Sequence, residues 1–517
     1  MTITGPRPSR ADGAREGRQR RPDPRRRTLW TLVGVESWER FSFYGMQGVL
    51  LLYLFHSAAQ GGLGLTQATA IGIVGAYGST VYLSTIAGGW LADRVAGAER
   101  VLFGSAVLIM LGHASLAVLP GATGVAVGLS AVALGSGGLK ANTTAILGRV
   151  YGEDEARRDS GFALFYLGVN VGSLLGPVLT GLLQVSWGFR AAFAAAAAGM
   201  ACGLVQYVAG RHCFAAQFAR PPHPLTTRFR GVLAVGGVAF VAGAGALVAT
   251  GVLTSARVNE VVLGAVVAAT VAMFTVMLRS PQVTVVERRR VRAFIPMFLA
   301  SAAFWALSQQ QFTVLTVYAD QQLNRHLLGW EMPVTWVQTI NPVFIVILSG
   351  VFAVVWSRLG SRQPSEPAKL GFSNIVMGAA FLLFIPLATT APNSVPLLPV
   401  IGILALFSVA ELCLAPIGLS LAAAAAPRAY SSQLVALFYL SIALGTSGAS
   451  ELAGWYTTAH QVTYFAAVGI TCMLVGLMLL AASRRLAAAL HAVDQQTVAD
   501  EPSVGRSNVE AGSWSRV

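Results

Sequence analysis

Glu36, Glu39 and Arg40 stand together in the stretch VESWERFSFYGMQGVLLLYL, Val35 to Leu54. The stretch lies inside a run of about 28 mostly apolar residues that begins near Leu29, long enough to cross a bilayer at 1.5 Å per residue. Three ionisable groups in one such span cost several kcal/mol if they face lipid. At 100° per residue, Glu36, Glu39, Arg40, Phe43, Tyr44 and Gln47 share one arc, so that arc must face protein or a water-filled cavity. A packed ion pair that only fixes helix orientation is the bland alternative. Three charges with an aromatic stripe beyond them are the pattern of an ion or substrate path. Lys140 and Glu411, each inside another apolar run, extend the set, and no lipid-facing surface would tolerate them.

Other chemistries find little support. There is no nucleophile–base pair, phosphate loop or metal-ligand cluster, so neither an enzyme, a cofactor nor a metal site is expected. Cys202, Cys213, Cys413 and Cys472 are scattered and read as small apolar residues. His113 is expected to be a satisfied packing residue. The net charge of +14 lies in the tails and in alternate loops, as the positive-inside rule requires, and forms no nucleic-acid patch.

The elements that must hold these groups are helices. The chain has 517 residues, 55% hydrophobic and 11% charged, with many apolar runs of 18 or more. Only helices or closed barrels satisfy the backbone in lipid, and these runs are too long for barrel strands. Helices are expected near 29–56, 66–95, 100–120, 122–149, 157–185, 187–209, 229–252, 257–279, 291–321, 333–357, 369–390, 395–425, 429–459 and 461–487, about fourteen in all. Residues 1–28 and 489–517 read as disordered cytoplasmic tails, 29–210 as one six-helix bundle, 211–290 as a linker carrying an extra helix pair, and 291–488 as a second six-helix bundle. Loops such as DRVAGAER and ERRRVR alternate with the base-free HSAAQGGLGL and TTAPNSV, which puts both termini inside the cell membrane.

Gly88-Gly89-Trp90-Leu91-Ala92-Asp93-Arg94 resembles the loop motif of the major facilitator superfamily, in which glycines allow close helix approach and Asp93 can bond helix N-termini or arginines. Together, ESWERFSFYGM, GLKANTTAILGRVYGEDEARRDSGFALFYLGVNVGSLLGP, VQTINPVF and ELCLAPIGLS strongly resemble the proton-dependent oligopeptide transporter family of that superfamily. The resemblance covers nearly the whole chain. It implies the major facilitator fold and roles for particular residues. Glu36, Glu39 and Arg40 match its Glu-x-x-Glu-Arg motif, tied with Lys140 to proton coupling. Arg40 and Lys140 would take a peptide carboxylate, and Glu411 the amino terminus. Tyr44, Tyr82, Asn170 and Asn341 match pocket positions for peptide groups.

Three departures stand out. Where the family carries Phe-Trp-x-x-x-Glu-Gln, this chain has Trp305 but Gln309 at the acid's position. Where the family has an arginine after Tyr-Tyr-Gly-Met, this chain has Gln47. In the family those two positions face each other as an ion pair, so a charge pair is replaced as a unit by two amides expected to hold the gate by hydrogen bonds. Phe438 occupies a pocket tryptophan position, which removes an indole N–H. Glu451 reads as an interhelical carboxylate, or as a substitute protonation site. The resemblance implies a symporter importing di- and tripeptides or similar zwitterions with protons by alternating access. A same-scaffold carrier of a non-peptide metabolite, exporting by proton antiport, is the alternative that Gln47, Gln309 and Phe438 favour.

Overall fold

A computed structural model of the chain describes residues 24–150, 155–214, 216–222, 224–226, 254, 256–327, 329–388 and 391–490. Six long helices come first: α1 Pro24–Phe55, α2 Gln67–Leu91, α3 Ala98–Val118, α4 Gly121–Val150, α5 Glu155–Trp187 and α6 Phe189–Gly210. α7, Val258–Arg279, is the second helix of the expected extra pair; its partner near 229–252 lies outside the described residues, as do most of the two expected tails. Then follow α8 Val285–Ser308, α9 Val314–Gln321, α10 Ile340–Leu359, α11 Glu366–Leu382, α12 Leu397–Ala425, α13 Ser431–Ala453 and α14 Gln461–Leu490. Twelve spans among the described residues are long and apolar enough to cross a membrane. α1, 32 residues long, carries Glu36, Glu39 and Arg40 in its middle and is not among those twelve; its described part already includes residues 24–28, expected as tail.

Local chemistry sets the helix starts. Thr66 Oγ1 accepts the Thr69 N–H at the head of α2. Thr284 and Glu287 form a reciprocal capping box on α8, and Glu287 also accepts the Arg428 N–H at 2.9 Å, tying the head of α8 to that of α13. In the first half α1 packs on α5 and α6, and α4 on α2 and α3. α2 and α4 meet at Gly88 and Gly138, where a Cβ on Gly88 would strike the Gly138 backbone. Asp93, beyond that contact, is exposed and makes neither a hydrogen bond nor an ion pair among the described residues, so the glycines of its motif carry the packing. In the second half α11 packs on α12 and α14, and α13 on α8.

Two features position the candidate site. The expected run 291–321 is not one helix: α8 ends at Ser308, a 3-10 turn covers Gln309–Phe312, Thr313 departs from helical dihedrals, and α9 resumes. Irregular backbone at such a depth belongs where it is buried in protein or lines a cavity. The halves are also tied together from mid-bundle toward one end, where α1 and α13 finish and α2 begins. Ser79 donates to the Ala443 carbonyl at 2.8 Å and accepts from Ser447 at 2.7 Å. Thr335 Oγ1 and Trp336 Nε1 donate to the carbonyls of Pro177 and Val178. At the rim, His56 Nε2 lies 3.2 Å from Asp320 Oδ2.

Candidate functional site

α1 brings its charges together as the helical arc requires. Arg40 Nε and Nη2 donate to Glu36 Oε1 at 2.8 and 2.7 Å. Arg40 Nε also lies 3.0 Å from Glu39 Oε2, without hydrogen-bond geometry. All three residues are buried, Glu39 completely. Glu36 Oε2 and both Glu39 oxygens accept no hydrogen bond. A buried carboxylate without hydrogen-bond donors is costly, so Glu39 relies on the charge of Arg40 beside it.

Lys140, on α4, makes no ion pair among the described residues. Its Nζ instead lies 4.9 Å from the Phe43 ring centroid and 4.7 Å from that of Tyr82. Two aromatic faces hold the ammonium by cation–π attraction while leaving its hydrogens for another acceptor. Phe43 also lies edge-on to Tyr44, and Tyr44 reaches across to Phe312 of the second half, 6.2 Å between centroids. The sequence places Phe43 on the charged arc without a role of its own; the structure sets its ring against Lys140.

Across from this cluster stands Glu411 on α12. Asn341 Nδ2 donates to Glu411 Oε2 at 3.2 Å, and Ser408 Oγ donates to Asn341 Oδ1 at 2.8 Å, which fixes the amide's orientation. Glu411 lies within electrostatic reach of Tyr44, Tyr82 and Tyr166. Tyr439 on α13 lies within reach of Arg40 and Glu36. Bases on α1 and α4 and an acid on α12 thus share the neighbourhood of Tyr44 and Tyr82. Tyr166, 47% exposed, and Tyr439 are further candidates to which the sequence reading gave no role.

Other expected site residues stand differently. Asn170 is buried and its Nδ2 donates to the Tyr166 carbonyl one turn earlier, so its N–H is satisfied within α5. Trp305 is buried with its Nε1 unpartnered, packed against Gly445 of α13. Phe438 is buried with its ring against Gly418 of α12, a packing role. Gln47 and Gln309 do not hydrogen-bond each other: Gln47 Oε1 is buried without a donor, and Gln309 opens the 3-10 turn. The expected amide gate is therefore not formed. Its place between α1 and the broken helix is taken by His56 and Asp320, further toward the rim. His113 is fully buried but neither ring nitrogen has a partner among the described residues, so it packs without being satisfied. Glu451 accepts from Asn259 of α7 at 2.7 Å and is interhelical. No cluster of three or more His, Cys, Asp or Glu side chains suited to a metal occurs among the described residues.

The family model described as "POT family" matches residues 99–471. An uncharacterised transporter, YclF, of Bacillus subtilis is 36% identical over 470 residues, 90% of this chain and 95% of its own length. The di-/tripeptide transporter of Lactococcus lactis subsp. cremoris is 35% identical over 470 residues, 88% of this chain and 94% of its own. A crystal structure of the peptide transporter POT in complex with sulfate superposes with a TM-score of 0.86 at 37% identity, covering 89% of this chain and 95% of that one. These matches span both six-helix bundles, so the architecture is the major facilitator fold of a multi-pass membrane protein. The chain belongs to the POT family, whose members are transporters.

Proposed function

We propose that the protein imports di- and tripeptides, or peptide-like zwitterions, together with protons by alternating access. The observation that carries this reading is the division of charge. Lys140 and Arg40 stand on the first half, and Glu411 on the second, in the shared neighbourhood of Tyr44 and Tyr82. A zwitterion with a carboxylate at one end and an ammonium at the other would satisfy both and draw the halves together. Desolvated charges left unpaired are strongly unfavourable, so an empty site gains most from a ligand of this form.

A proton supplies the release step. Protonating Glu39 removes one of the two negative charges facing Arg40, which weakens the guanidinium's hold within α1 and frees it for a substrate carboxylate. The tied end of the bundle is the outer one on this reading, with both termini cytoplasmic, because the loops at the opposite end carry the basic residues. Residues 29–210 and 291–488 act as the two moving halves, with 211–290 between them.

Uptake of a labelled dipeptide into proteoliposomes tests the proposal. Accumulation should exceed the outside concentration when an inward proton gradient is imposed and fall to equilibration without one. No uptake of any dipeptide, while an inward proton gradient drives export of a preloaded non-peptide, would replace import by symport with the exporter reading.

A further inference from the structure

α7 packs on α13 and α8 of the second half and on α2 of the first. Phe274 meets Phe298 of α8 edge-on with centroids 5.5 Å apart, and Val266, Thr270 and Met277 are buried beside it. Its other face, with Val261, Val267, Val271 and Val276, is exposed and suited to lipid. Near its start this helix carries a polar side chain that apolar packing does not need. Asn259 is 2% exposed. Its Nδ2 donates to Glu451 Oε1 at 2.7 Å and to the Ser447 carbonyl at 3.1 Å, both on α13. Its Oδ1 points at α2 of the first half, where a Cβ added to Gly75 would lie 3.0 Å from it and would strike Ser450 Oγ of α13. Asn259 thus fills the line along which the two halves meet.

We infer that Asn259 is a positioning residue for closure of the α2–α13 seam, and that α7, packed on both helices, is a brace that aligns α13 against α2. The amide fixes Glu451 and the Ser447 carbonyl in the register that lets Ser450 sit over Gly75 and Ser447 reach Ser79. The closed seam is incompletely satisfied. Asn259 Oδ1 and Ser450 Oγ have no partner among the described residues. Each regains water when α2 withdraws, which offsets part of the closing energy and keeps the seam reversible. This inference rests on the seam opening during transport, and its test uses no substrate.

Hydrogen exchange of the full-length protein in nanodiscs, read by mass spectrometry over residues 67–79 and 443–453, measures seam opening directly. Asn259→Val should speed exchange about tenfold in both segments, the size expected for losing a hydrogen bond to a charged group. Thr270→Val, also buried on α7, should leave both unchanged. Asn259→Asp sets two carboxylates against each other and should open the seam further. Adding Glu451→Gln to Asn259→Asp reverses donor and acceptor in that one bond, without replacing the bond to the Ser447 carbonyl, and should bring the rate part of the way back. The inference fails if Asn259→Val leaves exchange unchanged, or if the double change exchanges as fast as Asn259→Asp alone. It also fails if exchange rises equally throughout α7 and α8, since α7 has then merely come loose. Dipeptide uptake by the unaltered protein reports separately on the transport reading.

Discussion

His56 at the end of α1 and Asp320 in α9 form a contact of 3.2 Å between the halves, on the same two chain segments that carry Gln47 and Gln309. The family resemblance places a charge pair at those glutamines; here the side-chain contact between the halves stands nine residues later on one segment and eleven on the other. Both partners are four-fifths or more buried, with His56 edge-on to Phe189. Asp320→Asn should therefore loosen the rim. Exchange of residues 52–58 should rise about three- to tenfold, as expected for a partly buried pair worth ~1 kcal/mol. His56→Asn in the Asp320→Asn background should add little, because the contact is already lost.

Gln47 and Gln309 should behave as independent positions. They share no hydrogen bond, so Gln47→Ala and Gln309→Ala should change uptake additively, with a coupling below ~0.5 kcal/mol in a double-mutant cycle. A larger coupling would restore the two amides as a joined gate.

Lys140 has rings around it and no carboxylate partner, so its charge is available to a ligand. Lys140→Ala should reduce gradient-driven dipeptide uptake by a hundredfold or about that, the loss of a charge-assisted bond in a desolvated site. Activity within twofold of the unaltered protein would remove Lys140 from the site.

Glu411 has Asn341 as a hydrogen-bond donor. If it receives a peptide ammonium, Glu411→Gln should raise the half-saturating concentration about tenfold for free-amine dipeptides and leave N-acetylated ones nearly unaffected. An equal loss for both would make Glu411 a partner of Asn341 and nothing more.

The sequence by itself determined what solvent and periodicity dictate. Apolar runs of bilayer length fixed the membrane helices, because an unsatisfied backbone in lipid admits no other form. The spacing of Glu36, Glu39 and Arg40 fixed their meeting, because residues three and four apart on a helix share a face. Glu411 and Lys140 were marked by the cost of burying their charge. What only the tertiary structure decided lies between helices. Periodicity says which face of α1 is polar, but not which residue of a distant helix faces it. That is why Gln47 and Gln309 stay apart while His56 finds Asp320, 264 positions away. Nor does it show that the run containing Gln309 breaks at Thr313, since neither glycine nor proline stands there and burial among neighbours decides it. Asn259 reads as one polar residue at a helix start, and only the assembled seam of α2, α7 and α13 gives its amide two partners and a place.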